Sequence, residues 1–222
     1  MQPPETSGAE DAPPPVAQTI DPGRTTRRRL LFSLALAALI AGLYLNPREI
    51  RHPPGIVVPE DPHQTAVDHA SSWAYKDGRF TPVASIRWRA RVLGTERYWF
   101  DRSARWSPID LALGWGRMSD QRVIDRLSFW QGRRWYHWRP KGASPLAGEE
   151  IMRHSANVHV IPSNEAIEKR LREVRAGQIV DFTGLLVVVE SAGGSKWESS
   201  TRRDDTGNGS CEIVWMTDLI VR

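Results

Sequence analysis

The chain is poor in the parts that most site chemistries need. It has one cysteine in 222 residues, Cys211, so no disulfide can form within it and packing must hold the fold. No cysteine stands directly after the apolar stretch near the N-terminus, which argues against a lipid-modified cysteine anchor there. The charge excess is only +4, and part of it sits in one arginine cluster. Nucleic-acid binding wants concentrated basic charge on one face, so no nucleic-acid partner is expected. There is no internal repeat. No motif supplies a complete catalytic set, and neither a cofactor nor a metal is expected.

What is present falls into four stretches. Residues 1–23 hold six prolines and almost no large apolar residues, the composition of a disordered tail. Residues 24–46 contain Leu30 to Leu45, sixteen positions without a charge. At helical rise that run is about 24 Å, slightly short of the roughly 30 Å bilayer core, and Arg29 and Asn46 can close the gap at its ends. Arg24, Arg27, Arg28 and Arg29 precede it, and charge bias then places the N-terminus in the cytoplasm. A cleaved signal peptide fits less well, because the small-x-small triplet at residues 35–37 lies inside the run. Residues 47–64 carry five prolines and read as an extended spacer. Residues 65–222 make the folded domain.

Ten tryptophans give that domain its character, and seven lie between Trp88 and Trp138. Residues 64–78 read as a short helix ending at Gly78. Ile86, Trp88, Ala90 and Val92 alternate with arginines, the pattern of a half-buried strand. Ser107-Pro108 has the cap and first-turn chemistry of a helix through Leu113, and Ser119 could cap another. Residues 128–138 read as two strands around Gly132. The clearest helix runs near 164–175, with early acids, late bases and an Ile167, Leu171, Val174 stripe. Strand-like runs follow at 178–190, broken by Gly184, and at 211–222. The expected fold is α+β: an N-terminal transmembrane helix, then a Trp-rich domain around a curved antiparallel sheet. An OB-like partial barrel is the first expectation for 177–221, with Gly184 at a bend.

The stretch 203–212 concentrates the candidate chemistry. Asp205-Thr206-Gly207 spells the aspartic-protease triplet, but polar residues precede it and no second copy exists. An EF-hand counted from Asp204 puts Trp215 where the bidentate acid belongs. Cys211 with His154 or His159 could form a nucleophile–base pair, and Asp204, Asp205, Glu212, Arg202 and Arg203 supply the residue types of an OB-type nuclease. The bland reading is a glycine-rich turn, with Arg203 pairing to Asp205 or Glu212 and Cys211 entering a closing strand. The candidate catalytic set is thus His154, His159, Asp205, Cys211 and Glu212. The candidate binding set is Trp135, His137, Asn157, Arg203 and Asn208. Trp130, Trp135, Tyr136 and Trp138, interleaved with Arg133, Arg134 and Arg139, could stack on a ligand, or could form a strand buried on both faces.

The succession Leu113-Gly114-Trp115-Gly116, Trp135-Tyr136-His137-Trp138, His154 to His159, Arg175-Ala176-Gly177, Gly184 and the Arg203–Glu212 segment resembles a family of bacterial single-pass membrane-anchored proteins of unknown function. The closing R-x-D-T-G-x-G-x-C-E pattern is its most specific part, and the similarity covers roughly residues 95–222. It implies a bacterial origin and an anchored domain, and no activity. The expected function is a periplasmic interaction domain held at the inner membrane by residues 30–45, with an envelope protein as partner. The alternative is an envelope hydrolase with its site at 154–159 and 203–212.

Overall fold

The computed structural model describes residues 27–37, 49–68, 70–202 and 211–222. The chain divides into two units, Met1–Pro47 and Arg48–Arg222. In the first, residues 27–37 form a helix, α1, that exposes Leu30, Leu31, Phe32, Leu34 and Leu36. Residues 38–45 of the apolar run, and the tail expected over 1–23, lie outside the described residues. Among the described residues no helix is long and apolar enough to cross a membrane.

The second unit is mixed α+β with a core that is mostly sheet. In chain order it runs β1 (His63–Ala66), β2 (Trp73–Tyr75), β3 (Gly78–Arg97), β4 (Ile109–Gly114), a 3₁₀ turn (Gly116–Ser119) and α2 (Gln121–Ile124). Then come β5 (Leu127–Gly132), β6 (Trp135–Pro140), α3 (Gly148–Arg153), β7 (Ser155–Pro162), α4 (Glu165–Glu173), β8 (Ile179–Ser191), β9 (Lys196–Glu198) and β10 (Glu212–Val221).

Five strands pair in a closed circuit. β3 is antiparallel to β4, β4 to β7, β10 to β8 and β8 to β3, while β7 and β10 run parallel. Closure needs a curved sheet, and extra residues supply the curvature. The register of β3 shifts between Pro82 and Ala84 against β8, and between Val92 and Gly94 against β4. Each such bulge bends its strand and tightens the twist. β10 shifts between Met216 and Asp218, directly across from Gly184. A Cβ at Gly184 would overlap the carbonyl oxygen of Trp215. The glycine expected at a bend is thus where two strand backbones come too close for a side chain.

Alternation fills the ring. Ile86, Trp88, Ala90 and Val92 of β3 meet Ile109, Leu111 and Leu113 of β4, Val158 and Val160 of β7, Phe182 of β8 and Met216 of β10. α4 adds Ile167 and Leu171 to the same cluster. Its start is capped by Asn164, whose Oδ1 accepts from the Ile167 amide at 3.0 Å. Two more apolar clusters lie against the ring: Leu93, Ala112, Met118, Ile124, Leu127 and Ile151 in one, Phe80, Trp106, Ile161, Val189 and Ile213 in the other.

Three local expectations are corrected. The described residues of 64–78 contain no helix; β1 and β2 pair with β3, and Trp73 and Tyr75 pack on Phe80 and Trp215. Aromatic residues favour a pleated surface over a helix here. Residues 107–113 are strand β4, because Ile109, Leu111 and Leu113 repeat every second position and pair on both sides. The capping chemistry at Ser107 was local, and two ladders of backbone bonds override it. Asp120, one residue past Ser119, caps α2 by accepting from the Arg122 amide at 2.9 Å.

Part of the expected spacer is instead fastened to the domain. The Ile50 amide donates to Ala176 O at 2.9 Å, and His52 Nε2 lies 2.6 Å from Gly177 O. The Gly55 amide donates to Asp120 Oδ1 and the Val58 amide to Ser119 Oγ, both at 3.0 Å. Gly177, at φ +90, has no room for a Cβ against the Ile50 backbone. Beneath this strap Arg91 of β3 is fully buried and donates to Ser119 O at 3.2 Å. Burial lowers its pKa, and the nearby Glu49 carboxylate works the other way. Prolines keep the strap extended, and its backbone bonds give it a fixed course.

Candidate functional site

The side chains between the ring-facing positions of β4 and β7 turn outward. Asp110 sits opposite His159 and Ala112 opposite Asn157. Such outward positions are usually wet, yet here all four are buried. Residues 115–154 fold back over this wall, and the hairpin β5–β6 sets Phe129, Tyr136 and Trp138 on the cluster that contains Ala112. Burial pushes the Tyr136 phenol far above its ordinary pKa.

The hairpin turn delivers a charge into the wall. Gly132 and Trp135 pair directly, so Arg133 and Arg134 form a two-residue turn, with φ of 52° and 70°. Such turns need left-handed backbone at both positions and usually take Asn or Gly. Here Arg134 is turned inward. Its Nη1 donates to Asp110 Oδ1 at 2.8 Å and its Nη2 to Ser107 O at 2.9 Å. Its Nε and Nη2 also grip both oxygens of Asp101, at 3.0 and 2.9 Å. The guanidinium lies 3.7 Å from the Tyr98 ring centre.

Asp110 is the hub. Besides Arg134, His159 Nδ1 stands 2.9 Å from its Oδ1, in ion-pair range but off the hydrogen-bond direction. Asn157 Nδ2 reaches its Oδ2 at 3.4 Å and the Arg134 carbonyl at 3.2 Å. Gln131 Nε2 donates to Asn157 Oδ1 at 2.8 Å. A carboxylate this deep is tolerable only with such partners. Its charge also marks its neighbours. Burial, then Asp110, raises the Tyr98 and Glu96 pKa values.

The outer face of the same hairpin is open. Trp130 and His137 are cross-strand partners, stacked at 5.2 Å and 17°, and Trp135 is exposed beside them. Across from Trp135 stands Gly132, above which a Cβ would meet nothing within 4 Å. The hairpin is therefore not buried on both sides: Tyr136 and Trp138 face inward, Trp135 and His137 face water.

The candidate residues separate accordingly. Asn157 and His159 belong to the buried network, and His159 packs under Trp197 at 5.0 Å. His154 ends α3, its Nδ1 2.9 Å from Glu150 O, and its ring lies over Gly116, where a Cβ would come within 2.6 Å. Five positions along the chain thus place the two histidines in different settings. Cys211 is half-buried just before β10, its carbonyl accepting from the Ser200 amide at 3.1 Å. Glu212 is buried in β10 and pairs with Val158. Arg203, Asp205 and Asn208 lie outside the described residues. Among the described residues no three His, Cys, Asp or Glu side chains are grouped to hold a metal ion.

Asp110, Tyr98, Asp101 and Gln131 escaped the sequence reading. One signal for the first was available: a lone acid inside the apolar run Ile109–Gly114 has to be partnered if that run is buried. Comparison with protein-family models, with curated proteins and with solved structures finds no match to this chain. The geometry describes a buried charged brace beneath an exposed aromatic face.

Proposed function

We propose that this chain is a bacterial single-pass inner-membrane protein, N-terminus in the cytoplasm, whose folded domain is a periplasmic binding module for an envelope protein. The observation that carries the reading is the exposed Trp130–His137–Trp135 face on a hairpin braced from beneath by Arg134 and Asp110. Aromatic anchors on a rigid support are the usual centre of a binding surface. Leu30–Leu45, preceded by four arginines, supports the anchor and its orientation.

The pairing circuit supports an OB-like barrel. Such barrels commonly take ligands on their second and third strands. In this ring those are β4 and β7, and the outward side chains there are covered. The hairpin's outer face takes the place of that surface, with Trp135 and His137 in contact with the partner and Asn157 bracing from below.

Two measurements test this. A compartment-specific reporter fused after residue 60 should be active only in the periplasm; cytoplasmic activity sinks the topology. A photo-crosslinking residue at position 135 should give one discrete adduct in cells, and Trp130→Ala with His137→Ala should abolish it without changing the melting temperature. An adduct indifferent to both substitutions would remove this face from the function.

The hydrolase reading rests on one observation, the Asp110–His159 pair, whose His159 lies on β7 beside β10, the strand that Cys211 precedes. It requires His159→Gln and Cys211→Ser to abolish the same activity. The burial of His159 beneath Trp197 stands against it.

A further inference from the structure

The loop between β3 and β4 holds two consecutive large aromatics out in water. Phe100 is 100% exposed and Trp99 64%. The loop beneath them is tightly tied. The Tyr98 amide donates to Pro108 O at 2.9 Å and closes its base. Asp101 Oδ1 accepts from the Ser103 and Ala104 amides, both at 2.8 Å, and Arg134 clamps the same carboxylate. These bonds fix the base of the loop and leave Trp99 and Phe100 exposed at its tip.

The free charges of this loop and of the neighbouring hairpin turn are one-sided. Arg102 and Arg133 are exposed and make no hydrogen bond or ion pair among the described residues. Asp101 is the sole acid between 97 and 105, and Arg134 holds it. No acid occurs between 127 and 140. Arg172 stands 5.3 Å from the Trp99 ring while bonded to Glu168. The result is a Trp–Phe protrusion flanked by two uncommitted guanidiniums, with Asp101, the one acid in the loop itself, held by Arg134.

We propose that this tip docks on a bilayer surface containing anionic lipid. Trp99 and Phe100 enter the boundary between headgroups and acyl chains, and Arg102 and Arg133 meet lipid phosphates. Trp is characteristic of that boundary, and basic residues beside apolar ones add attraction to anionic lipid. A two-residue protrusion presents little of the roughly 800 Å² per partner that a stable protein interface buries. The inference rests on the anchored reading above, since the Leu30–Leu45 run is what brings a bilayer to the domain.

The test uses the full chain with Cys211→Ser and a single cysteine, either Phe100→Cys or Gly193→Cys, labelled with an environment-sensitive dye. Each is reconstituted in phosphatidylcholine vesicles with and without phosphatidylglycerol. At position 100, quenching by aqueous iodide should fall at least twofold in the anionic vesicles and recover with Arg102→Glu and Arg133→Glu. At position 193 it should not change. Equal quenching at 100 in both vesicle types overturns the proposal. So does equal shielding in detergent without lipid, which would mean that protein covers the tip. Flotation after alkaline carbonate reads the anchor separately. A chain stripped from the vesicles would refute the anchor, and the same quenching on added vesicles would still decide the docking.

Discussion

The Arg134 guanidinium, its side chain 16% exposed, lies 2.8 Å from an Asp110 carboxylate with no exposure at all. One residue from a surface turn thereby neutralises a charge buried on the outer wall of the ring. Removing Arg134 strands Asp110, so Arg134→Met should cost about 3–5 kcal/mol in urea unfolding. Arg134→Lys should recover little of that, because an ammonium cannot reach Asp101, Asp110 and Ser107 as a planar fork does. Pairing Arg134→Met with Asp110→Leu should be less damaging than the sum of the two. A loss below about 0.5 kcal/mol for Arg134→Met would show that the brace carries no stability.

Acid should weaken the domain through its bound aspartates. Burial alone would raise Asp101, but the hydrogen bonds and charge of Arg134 hold it below its ordinary value. The Gln121 hydrogen bond, over the opposing effect of burial, and Arg51 do the same for Asp125. A depressed folded pKa gives stability that is present above the unfolded value, about 3.9, and is lost as pH falls through the folded one. Thermal melting followed from pH 6 to pH 2 should therefore decline below about pH 4, and Asp101→Asn should flatten the decline. Glu96 has the opposite sign. Burial and Asp110 raise its pKa, so ionising it opposes folding as pH rises. Glu96→Gln should melt higher than the parent at pH 7.

Two glycines should answer differently to the same methyl group. Gly184→Ala pushes a Cβ into the Trp215 backbone and should cost about 1–3 kcal/mol. Gly132→Ala enters open space and should stay within about 0.5 kcal/mol. Chemical denaturation of both variants compares them directly.

The strap depends on Asp120, which caps α2 and also accepts from the Gly55 amide. Asp120→Ala should cost about 1–2 kcal/mol. Amide hydrogen exchange should accelerate at residues 55–58 and leave β7 unchanged. Uniform acceleration would mean that the strap opens only with the whole domain.

The sequence was most legible where one side of an element faces the ring and the other faces water. Ile86, Trp88 and Ala90 alternate with arginines, and α4 carries its own cap, charges and stripe; both follow from local pattern. β4 hid because Asp110 and Ala112 are buried on the outer face as surely as Leu111 is on the inner one. Only the covering hairpin, distant in sequence, makes that so. The site was half visible for the same reason. His159 and Asn157 stood out as unusual residues in an apolar run, but their partner Asp110 lies 49 positions away from His159 and meets it through strand pairing. Of the two histidines offered as alternative bases, His154 instead ends α3.

The strap over Arg91 has a mechanical consequence. Arg91 is where β3 hands its pairing from β8 to β4. Tension applied at the residue-48 end would first meet the backbone bonds at Ile50, Gly55 and Val58, then the Arg91 side chain beneath them. The load would enter at the junction of three strands rather than peel an edge. In an optical trap, pulling between residues 48 and 222 should show the strap rip away as a small early step, with the barrel yielding later at higher force.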